Sequence, residues 1–193
     1  MSAAVNTSAG VSAITVAYAD PPYLGQGRKL YGKHHAEAHL WDDPETHRAL
    51  IARMSQEYPD GWALSCSSPS LRTLLPMCPA DVRIGAWVKP FHIFKKGVRP
   101  AYAWEPVIYR GGRNVGHPPP PKGGKATTPR DWVSANILLR KGLTGAKPPA
   151  FCEWLFDLLG LRAGDEFVDL FPGTEGVSKA WIDWSADRED QAS

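Results

Sequence analysis

Short apolar runs alternate with polar stretches rich in proline and glycine along this chain. Residues 14–19 (ITVAYA), 61–66, 82–88, 102–109 and 167–171 are β-branched or aromatic runs, and they predict buried strands. The first run must stop at Asp20-Pro21-Pro22-Tyr23, because two prolines cannot continue a central strand. Residues 44–58 predict a helix with Leu50, Ile51 and Met54 on one face and Asp42 or Asp43 as its cap. A short helix is expected over 69–78. Another is expected over 148–159, carrying Phe151, Trp154, Leu155 and Leu158, with Gly160 placed to end it. The last strand runs into Gly173-Thr174-Glu175-Gly176 and a final short helix ending near Trp184. Strands alternating with helices predict an α/β fold with a mixed, mostly parallel sheet.

The 193 residues fit one domain. Its expected bounds are 13–185, between a flexible tail at 1–12 and an acidic tail at 186–193. Residues 111–130 (GGRNVGHPPPPKGGKATTPR) are too rich in proline, glycine and basic groups to pack a core, and a mobile loop is expected there. A hydrophobic share of 43% and a charged share of 22% exclude fibrous and wholly disordered classes. No apolar run reaches the roughly 18 residues that span a membrane, and no secretory signal is visible. Cys66, Cys78 and Cys152 are odd in number and widely spaced, as expected of reduced thiols in a cytoplasmic protein. Trp62, Trp87 and Trp154 fall in predicted strands and helices and are expected in the core.

Charge is unevenly spread. The chain carries net +2, divided into −1 over 1–80, +10 over 81–147 and −7 over 148–193. A basic middle third directs attention to a polyanionic partner.

Three local patterns could carry chemistry. Asp20-Pro21-Pro22-Tyr23 closes a strand, where ligands of open α/β sheets bind. A carboxylate beside a backbone carbonyl can accept both N–H bonds of an aromatic amine, and an aromatic ring can stack on its base. Asp169 to Gly176 (DLFPGTEG) is a strand leading into a glycine turn and a helix, which suits a nucleotide-like cofactor. Lys147-Pro148-Pro149 opens the preceding helix. His34, His35 and His39 lack a cysteine or carboxylate at ligand spacing, so no metal site is expected.

In this order the three patterns resemble the β-class amino-methyltransferases, a permuted family that uses S-adenosylmethionine to methylate adenine N6 or cytosine N4 in DNA. Trp87-Val88-Lys89-Pro90 followed by Trp104-Glu105-Pro106-Val107-Ile108 also looks like the family's antiparallel hairpin, and the resemblance covers residues 14–184. It implies a shortened Rossmann-like methyltransferase fold. It implies that Asp20, Pro21, Pro22 and Tyr23 are catalytic, the acid and the Pro21 carbonyl holding the amine and Tyr23 stacking on a flipped base. Asp169, Phe171, Gly173 and Gly176 would line the cofactor pocket, with Lys147 and Pro148 closing it. Lys89, Lys95, Lys96, Arg99, Arg110, Arg113, Lys122, Lys125 and Arg130 would track phosphates.

The sequence also departs from the family pattern. Its second loop glycine falls at Glu175, with a glycine one place later at Gly176. The sequence after Gly176 has room for one helix but not for two further strands, the first of which usually carries an acid that grips the ribose. Asp183 and Asp187 stand poorly for that role by position. The alternatives are a nucleic-acid-binding module with reduced catalysis and an RNA methyltransferase. A sheet ending on the cofactor strand would leave an edge for the tail, a second copy or a partner subunit.

Overall fold

The computed structural model describes residues 12–33, 35–91, 96–113, 128–138, 146–173 and 175–192. Six strands form one sheet: β1 (Thr15–Ala19), β2 (Gly61–Ser65), β3 (Arg83–Val88), β4 (Trp104–Gly111), β5 (Trp132–Ser134) and β6 (Glu166–Asp169). Their order is β5-β3-β4-β2-β1-β6. The pairs β1–β2, β1–β6 and β3–β5 are parallel, whereas β4 runs against both β2 and β3. Five strands therefore point one way. The β3–β4 pair, Trp87 opposite Glu105, is the hairpin that the sequence suggested.

Strand β1 is buried from Val16 to Ala19 because both faces of the sheet are covered. Val16 and Tyr18 enter one core and Ala17 and Ala19 the other, as a period of two requires. Strand β2 divides in the same way, Ala63 to the first core and Trp62 and Leu64 to the second. The first core is closed by helices α3 (Pro149–Leu158) and α4 (Gly176–Ala192). The second is closed by helix α1 (Pro44–Glu57) and the short α2 (Leu71–Leu74). Trp62, Trp87 and Trp154 are all buried, as are Leu50, Ile51 and Met54 of α1. The thiols of Cys66 and Cys152 are buried and that of Cys78 is partly so; all three are free.

Local chemistry sets the element ends. Asp43 caps α1, accepting from Glu45 N at 3.0 Å ahead of Pro44. Asp42 accepts from the N–H groups of Gly27 and Arg28 instead, which pins the loop after β1. Gly160 ends α3 at φ +63, a left-handed value that a side chain would resist.

Four elements differ from the sequence reading. Helix α4 does not stop near Trp184 but runs to Ala192, through the stretch expected as an acidic tail. Trp184 is buried, and Arg188 one turn on stacks over its ring at 4.1 Å and pairs with Asp157 of α3 at 3.1 Å. The polar loop from Gly25 contains a π-helical turn (Gly27–Tyr31) and a 3-10 helix (Ala36–Asp42). The helix expected over 69–78 is broken into 3-10, α and 3-10 turns around Pro69 and Pro76. Strand β5 was not foreseen; its three residues gain strand geometry only by pairing with β3. Among the described residues, no helix is long and apolar enough to cross a membrane.

Candidate active site

Because β1, β3 and β6 share a direction, the residues that follow them and those that open β4 meet at one edge of the sheet. Tyr18 lies opposite Asp169 in the β1–β6 register, and Leu170 N donates to Tyr18 O at 2.9 Å. The acid after β1 and the glycine turn after β6 therefore emerge side by side, although about 150 positions separate them in the chain.

At this edge Asp20, Tyr23, Glu105 and Lys147 form one polar cluster. The Lys147 side chain is 3% exposed, and its ammonium donates to Asp20 Oδ1 at 2.9 Å and lies 2.8 Å from Oδ2. It also donates to the Tyr23 hydroxyl at 3.2 Å and to Glu105 Oε2 at 3.4 Å. Tyr23 in turn donates to Glu105 Oε2 at 2.8 Å, with Asp20 Oδ1 at 3.2 Å. Lys89 pairs with the other Glu105 oxygen. Trp87, Phe151 and Tyr23 surround the Lys147 ammonium, each ring centroid 5.6–5.7 Å away. The Asp20 side chain keeps 23% of its surface open, so it remains reachable from outside.

The electrostatics follow from burial and pairing. Burial pushes Asp20 up from the usual carboxylate value; Lys147 counteracts this without cancelling it, and Glu105 adds to the rise. Glu105 is also pushed up by burial, but Lys147 and Lys89 outweigh that and hold it below its ordinary value. Burial would lower Lys147, yet Asp20 and Glu105 together raise it, so it is a fixed cation. Burial followed by the neighbouring carboxylates pushes Tyr23 well up, so it stays a neutral hydroxyl.

The glycine turn completes the edge. Asp169 accepts from Phe171 N and from Ser178 Oγ, both at 3.1 Å, which ties the turn to the first residues of α4. Gly173 has φ +48, and a Cβ there would meet only the Phe171 carbonyl, at 3.8 Å, so the turn is open above it. Glu175, where the sequence resemblance leads one to expect a glycine, adopts φ +60, the backbone shape a glycine would take. Its carboxylate pairs with Lys179 at 3.2 Å with both side chains about two-thirds exposed, so it faces solvent. A groove of about 720 Å³ runs between α3 and α4; Lys147, Cys152, Gly176 and Asp183 are among its lining.

The other candidates are scattered. Phe171 packs edge-on to Trp41 at 5.1 Å. Lys147, expected to close a cofactor pocket, lines the groove and places its ammonium on Asp20 and Glu105. Arg113, expected on phosphates, is 8% exposed and paired with the buried Asp165. Arg110 pairs with Asp81 at 2.8 Å, and Lys89 is 13% exposed on Glu105. Lys96, Arg99 and Arg130 are exposed, and Arg130 lies over Trp132. Lys95, Lys122, Lys125 and most of the 111–130 segment lie outside the described residues, as does His34; Gly111 belongs to β4. The sequence places Glu105 in the hairpin without assigning it a functional role. A lone carboxylate in the apolar run WEPVIY was the available signal.

No protein-family model matches this sequence, and comparison with curated proteins finds no relative. Solved structures do match. M1.HpyAVI in complex with SAM is 15% identical over 90% of this chain and 79% of that one, with a TM-score of 0.54. A second crystal structure of M1.HpyAVI gives 16% identity, 90% and 78% coverage and a TM-score of 0.52. A Thermus thermophilus protein assigned as a DNA modification methylase gives 16% identity, 90% and 78% coverage and a TM-score of 0.50. At such identities the likeness is one of fold. The chain has the α/β fold of these proteins, a mostly parallel sheet with one antiparallel strand.

Proposed function

We propose that this chain is an S-adenosylmethionine-dependent methyltransferase of the permuted β-class, acting on the exocyclic amine of a DNA base, adenine N6 in the first instance. The observation that carries the reading is the pairing of Asp20 and the open Gly173 turn on adjacent parallel strands. The neighbouring folds support it: one is seen with SAM and another is described as a DNA modification methylase.

The residues present fit the cofactor. A Cβ at Gly173 would meet only the Phe171 carbonyl, at 3.8 Å, and the Glu175 carboxylate pairs outward with Lys179. Asp169, Phe171, Gly173 and Gly176 would hold the cofactor, with Lys147 and Pro148 closing its pocket. When bound, it supplies an electrophilic methyl group on a sulfonium centre. Asp20 and the Pro21 carbonyl accept the two N–H bonds of the target amine. The amine lone pair is thereby drawn out of conjugation and aimed, which is a gain from orientation. The Asp20 carboxylate also stabilises the positive charge that grows on the nitrogen, and its raised pKa suits it to take the proton released afterwards. Tyr23 offers a ring face to the base, and a duplex target must be flipped from its stack. Of the cations expected to track phosphates, Lys96, Arg99 and Arg130 are exposed. DNA chemistry and three free thiols fit a cytoplasmic protein.

Isothermal titration with S-adenosylmethionine, followed by methyl transfer to DNA and nucleoside mass spectrometry, tests the reading. Heat of binding and N6-methyladenine are expected; N4-methylcytosine would move the target, and no binding with no transfer would overturn the proposal. Competition between single-stranded DNA and RNA separates a DNA enzyme from an RNA adenine methyltransferase. One observation favours a reduced, binding-only scaffold: among the described residues the sheet ends on β6. Salt-dependent DNA binding without cofactor binding would select that reading. The free side of β6 also suits a second copy or a partner subunit.

A further inference from the structure

Resting on that reading, we propose that Lys147 and Glu105 are positioning residues that set the charge on Asp20 from opposite sides, Lys147 holding it ionised and Glu105 keeping Lys147 from neutralising the site. The four charged groups come from four places in the chain and alternate in sign: Lys89, Glu105, Lys147, Asp20. The Lys147 ammonium bridges both carboxylates and is screened by three rings, so its charge acts at short range in a dry setting.

The need for both groups follows from the chemistry. A carboxyl buried alone becomes neutral, and a neutral acid offers an O–H where the amine needs an acceptor. An ammonium bound only to Asp20 would correct the ionisation but cancel the negative potential that a methylated nitrogen requires. Glu105 divides the Lys147 charge between two carboxylates and leaves part of the Asp20 potential available. Glu105 also receives the Tyr23 hydroxyl at 2.8 Å, which fixes the ring plane of the residue proposed to stack on the base.

The groups facing Asp20 are Lys147 from the segment before α3, Tyr23 from its own loop and Glu105 from β4. Tyr18 of β1, Asp169 of β6 and Tyr31 of the helical turn also feel its charge. Lys89 acts through Glu105. Of these, Lys147 and Glu105 act on Asp20 with opposite sign. Replacing each must therefore move its titration in opposite directions, and in an active enzyme must carry the acid limb of the pH–rate profile with it, which a purely structural role for either residue would not produce.

The test is a carbon-13 carboxyl NMR titration of the full chain labelled at aspartate, with Asp20 assigned from Asp20→Asn. Lys147→Met is expected to raise the Asp20 midpoint by about 1–3 pH units; Glu105→Gln is expected to lower it by roughly half a unit or more. If Lys147→Met does not fold, Glu105→Gln alone decides by the sign of its shift. Shifts in the same direction, or no shift, overturn the proposal. The titration needs no turnover. A wild-type protein without methyl transfer therefore refutes the enzyme reading, and the carboxyl shifts still judge the network. In an active enzyme the acid limb of the pH–rate profile must follow the same two directions.

Discussion

Arg113→Met removes a cation that the charge pattern assigned to nucleic acid and that the structure places in the interior. Its guanidinium donates to both oxygens of Asp165, one contact being 2.7 Å, and to Ser12 O at 2.7 Å. Asp165 also accepts from Ile14 N at 3.0 Å and Arg162 N at 2.7 Å. The pair thus joins the start of β1, the end of β4 and the turn between α3 and β6. With side chains 8% and 1% exposed, neither partner can turn to water. Breaking such a pair from one side costs about 3–5 kcal/mol. The two retained N–H donors keep Asp165 partly satisfied and favour the lower half of that range. For a chain of this size the melting temperature should fall by roughly 6–16 °C, at 2–4 °C per kcal/mol. Thermal and urea unfolding measure the loss, and the Asp165→Asn and double variants complete a cycle whose coupling must be favourable. A melting temperature within about 2 °C of wild type, accompanied by weaker DNA binding, would refute the reasoning and return Arg113 to the surface.

The same pair sets an acid limit. Burial pushes Asp165 up, but hydrogen bonds from Arg113, Ile14 and Arg162 outweigh it and hold the carboxyl below its ordinary value. A depressed folded pKa means stability that is present above the unfolded value near 3.9 and lost as pH falls through the folded one. Wild type should therefore lose stability below about pH 4 more steeply than Asp165→Asn, as urea midpoints against pH would show. Phe156→Ala should cost about 3–5 kcal/mol, since this buried ring contacts Phe167, Trp181 and Trp184 with centroids 5.0–5.4 Å apart; equilibrium unfolding checks it, and a loss under 1 kcal/mol would contradict the packing. Lys96→Ala, Arg99→Ala and Arg130→Ala should each flatten the salt dependence of DNA binding by about one unit of slope, with the fold intact. Unchanged slopes in all three would place the contacts elsewhere.

The strands were legible because their burial is simple. In the segment TVAYA everything after Thr15 is buried, since β1 lies inside the sheet and is covered on both faces. Its end was legible from Asp20-Pro21-Pro22-Tyr23, and the glycine turn from Asp169 to Gly176, as proline and glycine act locally. The partners of charged residues were not legible. Arg113 and Asp165 lie 52 positions apart, and Lys147 and Asp20 lie 127 apart. A lysine bound for a buried carboxylate has no local mark that separates it from a solvated one. Glu175 shows a related limit: at φ +60 it follows a backbone path that suits glycine, and only the fold shows where its carboxylate goes. The final helix did carry a signal. Ala180, Trp181, Trp184 and Arg188 repeat at helical spacing into the acidic stretch.

The central claim is that the acid ending β1 directs an amine toward a methyl donor seated at the glycine turn. Transfer of radiolabelled methyl from S-adenosylmethionine to DNA, compared between wild type and Asp20→Ala at matched folding, tests it most directly. The account predicts labelled exocyclic amine from the wild type and a loss on the order of 10²-fold or more in the variant. Equal labelling by both proteins would contradict it.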